Sequence, residues 1–172
     1  MSLKSTIKEA TRAVTKAVNG DDGSSDDILD TLKEEHEEVA ALLDKLVESG
    51  RAPERRSLVA QIRTALVPHV KAEQKVVYDA IIALRDKDAK IDGHEGYIEH
   101  ELASRTLDHL AKMENAASPE HKAAAKVLRE LVKHHVEEEE RNVWKDVKEN
   151  FSDGDRTQMN RDFLAAKKKV RI

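Results

Sequence analysis

Two copies of one pattern carry the chemistry of this chain: a histidine with a glutamate four residues further on. The first is His69-Val-Lys-Ala-Glu73 and the second is His135-Val-Glu-Glu-Glu139. On a helix, positions i and i+4 stack on one face, so each pair can present an imidazole and a carboxylate to the same point. Both pairs lie in apolar stripes. Ile62, Ala65, Leu66, Val76 and Ala80 accompany the first; Leu128, Leu131, Val132 and Val143 accompany the second. Ionisable groups on a core-facing stripe are costly unless they are paired or bind metal. A costly arrangement that occurs twice points to metal.

A lone histidine precedes each pair. Glu35-His36-Glu37-Glu38 runs on to Leu43-Asp44-x-Leu46, and Glu99-His100-Glu101-Leu102 runs on to Leu107-Asp108-x-Leu110. The offset is 64 residues for the lone histidines and 66 for the pairs. The chain therefore reads as two helical hairpins, each giving one lone histidine and one His-x3-Glu. The candidate metal ligands are His36, His69, Glu73, His100, His135 and Glu139. Imidazole and carboxylate donors suit iron, manganese or zinc. Six donors exceed one tetrahedral zinc site, and two metals bridged by the carboxylates fit the count. A single histidine on a core stripe is more often a satisfied core residue; six candidates in a two-fold repeat favour ligands. His94, His109, His121 and His134 read as surface residues, and the acidic run 137–140 as a solvated face apart from Glu139. No Glu-x-x-His of ferritin-like di-iron bundles occurs, nor a His-Glu-x-x-His helix, nor a glycine-rich phosphate loop.

Helices must position these residues. The apolar spacing predicts helices over about 27–49, 53–85, 94–116 and 119–150, with a turn at 86–93. Pro53 and Pro119 suit first-turn positions, whereas Pro68, directly before His69, predicts a bend inside the second helix. At about 1.5 Å per residue the four histidines fall within roughly a turn of one level. The expected fold is all-α: an up-down-up-down four-helix bundle over residues 26–151. Short helical extensions are expected on either side. Residues 1–25 read as a basic amphipathic helix (1–18) and a linker, and residues 152–172 as a tail capped by Ser152 and Asp153.

Charged residues make up 37% of the chain and aromatics only 3%, which suits helices with solvated outer faces. The net charge of -4 leaves no nucleic-acid footprint. With no cysteine, thiolate metal sites and disulfides are excluded. No apolar run approaches a membrane span, and no signal peptide is evident, so a cytoplasmic location is expected.

The order His36, His69-x3-Glu73, His100, His135-x3-Glu139 resembles the hemerythrin-like, or HHE cation-binding, domain family over about residues 26–151. The most specific parts are His69-x3-Glu73 with its trailing Val-Val-Tyr, and His135-x3-Glu139-Glu140. The resemblance implies a non-haem di-iron centre of Fe-O-Fe type, with histidines as terminal ligands and Glu73 and Glu139 as bridges. Two iron ions are expected ahead of manganese or zinc. It further implies a small-molecule partner: O2, peroxide or NO. Ser104 stands where oxygen carriers of the family have a fifth histidine, and Glu139 replaces an aspartate five residues after the histidine. These departures lead us to expect a reactive centre rather than an oxygen store. A metal- and oxygen-binding protein with weak peroxide or oxidase-type activity is expected ahead of a dedicated enzyme. The alternative is an oxygen or iron sensor, or an iron-handling module, acting through a partner or oligomer contact of residues 1–18. Whether Tyr97, one turn before His100, reaches the metals is left open by the spacing.

Overall fold

A computed structural model of the chain describes residues 26–172; the helix anticipated over residues 1–18 lies outside the described residues. Helix α1 (Ile28–Glu48) starts where Asp27 Oδ1 accepts the Leu29 amide at 3.0 Å, so an aspartate of the linker caps it. Helix α2 covers residues 52–82. Its α-helical part Ala52–Glu73 runs into a π turn, Gln74–Tyr78, and closes with Asp79–Ile82. Pro68 lies inside it, directly before His69. Helix α3 (Lys87–Lys112) is capped by Asp86. Helix α4 covers residues 119–150: Pro119–Glu138, a second π turn Glu139–Val143, then Trp144–Asn150. Ser118 caps its start by accepting the His121 amide. Helix α5 (Asp153–Lys167) opens with a capping box between Ser152 and Asp155.

The first four helices close a ring, with α1 and α3 each packed against α2 and α4. Helix α5 lies across α1 and α2. The architecture is the all-α hemerythrin-like bundle expected from the repeat, with a helical C-terminal extension applied to its side.

Three local expectations are corrected. The second link is four residues long rather than eight, because Asp86 Oδ1 accepts the amides of Asp88 and Ala89 and starts α3 seven residues early. Gly93, expected to end the turn, is instead a contact point inside the helix: a Cβ there would meet Ile82 Cγ1 at 2.6 Å. Helices α2 and α3 also stop earlier than expected, at Ile82 and Lys112. The third correction is register. Each π turn inserts one residue into the ladder, so the stripe beyond Glu73 moves round by about 100°. Val77, Tyr78 and Ile81 are buried, while Val76 and Ala80 are only partly so.

The core is two apolar clusters with a polar layer between them. One holds Val39, Leu43, Ile62, Leu66, Leu107 and Leu128 among others. The second holds Leu32, Val77, Tyr78, Ile81, Trp144, Val147 and Phe163 among others. Along α1, His36 falls between Leu32 of the second cluster and Val39 of the first. On α2, His69 and Glu73 sit at the matching step between Leu66 and Val77. Burying each large aliphatic side chain is worth about 1.5–3 kcal/mol, and these clusters supply the stability against which a buried polar layer is held.

Candidate metal centre

All six side chains expected from the repeat meet in that layer, and all six are buried. They form two triads that share one member. His36, His69 and Glu73 bring ligand atoms within 4.8 Å of one another, as do Glu73, His100 and His135. Glu73 Oε2 lies 3.3 Å from Nε2 of both His69 and His100. Glu139 Oε2 is 3.3 Å from His135 Nε2 and 3.7 Å from His36 Nε2. Each glutamate therefore faces one histidine of each hairpin. The histidine rings pair as His36 with His69, centroids 5.1 Å apart, and His100 with His135, 4.5 Å apart.

The donor atoms fit a cation. Both oxygens of Glu73, which is 0% exposed, make no hydrogen bond, and neither does His36 Nε2. A buried carboxylate or imidazole nitrogen without a hydrogen bond costs on the order of 1–3 kcal/mol or more. Coordination of a metal ion removes that cost. Imidazole nitrogens and carboxylate oxygens together suit first-row metals such as iron, manganese and zinc.

Outer groups fix the inward nitrogens. His69 Nδ1 lies 3.0 Å from Glu35 Oε2, and His135 Nδ1 lies 2.7 Å from Glu99 Oε2. A carboxylate can only accept, so Nδ1 carries a proton and Nε2 is the nitrogen left to present a lone pair to a bound metal. His36 Nδ1 has a longer partner, Glu140 Oε1, at 3.4 Å. The outer nitrogen of His100 makes no hydrogen bond among the described residues. Trp144 Nε1 donates to Glu139 Oε1 at 3.0 Å and orients that carboxylate.

The electrostatics are those of a cation trap. Burial works against a charged His69, but Glu73 and Glu35 outweigh it and lift the imidazole to about 9. His135 rises to about 10 despite burial, through Glu139 and Glu99. Burial raises Glu73, yet His69 and His100 hold its carboxyl well below the usual range. Burial lowers His100, and the positive His135 beside it adds to this. With no metal the layer keeps protons on two imidazoles against its carboxylates. A metal ion would take over that neutralising role.

Several of these residues carry no role in the sequence reading. Glu35 and Glu99 stand at equivalent places of the repeat, one residue before each lone histidine, and that equivalence was the available signal. Tyr78 is the tyrosine at the centre. Its Oη lies 3.3 Å from Glu139 Oε2 and 3.4 Å from His135 Nε2. Burial, with Glu139 and Glu73 nearby, pushes the phenol well above its ordinary pKa. Tyr97 points elsewhere, donating to Asp79 Oδ1 at 2.7 Å and to the Gln74 carbonyl at 3.2 Å. His94, His109 and His134 are exposed as expected, but His121 is not. It is 1% exposed, and burial, with Arg55 and Arg56 next in effect, lowers its imidazole.

Space around the centre is limited. A void of about 10 Å³ lies among His36, His69, His100 and His135. That is about the room one water needs. A cleft of about 520 Å³ between α1 and α4, floored by Leu43, Val132 and Val136, reaches His36 and Glu140 from outside. Among the described residues no helix is long and apolar enough to cross a membrane.

Comparison with known proteins adds a relative and a family. A protein named DNA nickase, from Nostoc sp. (strain PCC 7120 / SAG 25.82 / UTEX 2576), is 29% identical over 159 residues. The alignment covers 92% of this chain and 44% of the relative, so the chain spans less than half of that protein's length. No solved structure matches the chain. The family model described as "Hemerythrin HHE cation binding domain" matches residues 27–145, a stretch that contains all six buried side chains. The chain belongs to the hemerythrin HHE cation binding domain family.

Proposed function

We propose that this bundle holds two iron ions bridged by Glu73 and Glu139, and that the pair binds or reacts with O2, peroxide or NO. The observation that carries the reading is the sharing of Glu73 between the two triads. In this assignment one ion is held by His36 and His69 and the other by His100 and His135. Iron supplies electron transfer to or from the bound small molecule.

The chain's own residues do the rest. Glu35 and Glu99 hold His69 and His135 with Nε2 inward. Trp144 holds Glu139 in place. The two apolar clusters keep bulk water away, and the central void of about 10 Å³ leaves room for little more than one water-sized ligand. Tyr78 places a phenol proton at the His135 side, within reach of a ligand there. The cleft between α1 and α4 is the route in.

The test is anaerobic loading with ferrous iron, followed by iron counting and absorption spectra before and after exposure to air, peroxide and NO. About two irons per chain and a spectrum altered by at least one of the three are expected. One iron or none per chain overturns the reading. A metal-dependent sensor remains the competing output of the same centre, and metal-dependent capture of a partner by the full chain, without ligand turnover, would favour it. DNA cleavage, which the name of the Nostoc relative suggests, finds no support in a net charge of -4.

A further inference from the structure

The repeat makes the two halves of the centre internal controls for one another. Their plans match: Glu35 backs His69 and Glu99 backs His135. What holds the far oxygen of each glutamate does not match. Glu35 Oε1 receives Lys167 Nζ at 2.5 Å. Glu99 Oε1 has His134 Nε2 at 3.5 Å, and that imidazole is 63% exposed. Lys167 is the last residue of α5, and Phe163, one turn earlier, packs edge-on against the His69 ring with centroids 5.8 Å apart. The ammonium also lies 5.5 Å from the Phe163 centroid. Helix α5 falls wholly outside the stretch matched by the family model. It lies beyond the family's matched stretch and touches the His69 side of the centre through Phe163 and Lys167.

We propose that Lys167 is a positioning residue which, through Glu35, makes the His36/His69 metal position electron-poor relative to the His100/His135 position, so that the two irons are reduced one at a time. This rests on the di-iron reading above. Two effects act in the same direction. A fixed positive charge on one carboxylate oxygen weakens the other as an acceptor, so the Glu35–His69 bond is the looser of the two outer bonds, at 3.0 Å against 2.7 Å. A less strongly backed imidazole gives less electron density to its metal. The ammonium charge itself also favours the state of lower metal charge, and it does so in a partly buried setting where screening is weak. On the other side Glu99 keeps its acceptor strength for His135. The first electron therefore goes to the iron on the His69 side.

The experiment begins with an iron count on the full-length protein and its variants, then titrates the loaded proteins electrochemically while recording absorption and Mössbauer spectra. Two resolved one-electron steps are expected, with two distinct iron signals at the half-reduced point. Lys167→Met should shift the more positive step towards the other and shrink their separation. Lys167→Arg should restore it, and His134→Ala should leave both steps in place. In a Glu35→Gln background Lys167→Met should add a clearly smaller shift, because only the direct effect of the ammonium charge is left. A single two-electron step in the wild type overturns the proposal. So does an equal shift of both steps in Lys167→Met, or a shift of undiminished size with Glu35→Gln. Loss of one iron in Lys167→Met would make the lysine a structural tie and would also overturn it. Failure of the wild type to take up two irons refutes the di-iron reading instead, and the count shows this before any potential is measured.

Discussion

At the scale of single residues, the centre is held by carboxylates in two shells, and the shells have different tasks. Glu73 touches both triads, so Glu73→Ala should lower occupancy of both metals together. Loss of one ion with full retention of the other, by elemental analysis, would show that it serves one position only. Glu99 touches no second triad; it backs His135 from outside. Glu99→Gln should therefore weaken metal affinity by about 10–100-fold, the usual effect of losing such a partner. Competition with a chelator measures this, and an unchanged affinity would remove Glu99 from the site. The six buried side chains that meet in the layer were legible, because His-x3-Glu repeats in register with two lone histidines. Glu35 and Glu99 lay inside the quoted repeat, but a residue next to a ligand points about 100° away on its own helix. Only the neighbouring helix reveals what it touches. Tyr78 was hidden for another reason. In an uninterrupted helix it stands five residues from Glu73 and off the inward face, and the π turn brings it in.

At the scale of elements, the two π turns and the two glycines of α3 act as a fitted set. The turn Gln74–Tyr78 rotates Tyr78 inward, and Gly96 leaves room for its ring. A Cβ at Gly96 would lie 2.5 Å from Tyr78 Cζ. Gly93 makes a similar close approach to Ile82, well along from the centre. Alanine is the better helix former by about 1 kcal/mol, but overpacking typically costs about 1–3 kcal/mol, so both substitutions should be destabilising. They should differ in what else they do. Gly96→Ala displaces the phenol beside His135 and should change the spectrum of the iron-loaded protein; Gly93→Ala should lower the melting temperature and leave the spectrum alone. Equal spectra in the two variants would mean that Tyr78 has no bearing on the centre. Glycine spacing without a neighbouring helix reads as a turn, and for that reason residues 86–93 were expected to be a link. Three of the boundaries set by side-chain caps were legible, at Asp27, Ser118 and Ser152, and a fourth, at Asp86, was read as part of the turn.

At the scale of the whole molecule, the bundle carries a stability deficit at its middle. Two apolar clusters are separated by a layer of four histidines and two glutamates with buried atoms that make no hydrogen bond. Helix α5 closes one side of that layer by placing Phe163 on His69 and Lys167 on Glu35. In the metal-free protein His69 and His135, at about 9 and 10, are charged at neutral pH and pair with their carboxylates, which offsets part of the cost. Metal binding satisfies the remainder and couples the two hairpins, because Glu73 on the first meets His100 on the second. A ligand bound only by the folded state at about 1,000 times its dissociation constant adds about 4 kcal/mol. For a chain of this size, that corresponds to a rise in melting temperature of roughly 10 °C. Calorimetry of the same preparation before and after iron loading under anaerobic conditions should therefore show a single transition that moves up by about that amount. In Glu73→Ala the same loading should move it less, because one of the two glutamates that face both hairpins is gone. Two separate transitions in the loaded wild type would mean that the polar layer does not tie the hairpins together, and an equal rise in Glu73→Ala would mean that Glu73 has no part in that tie.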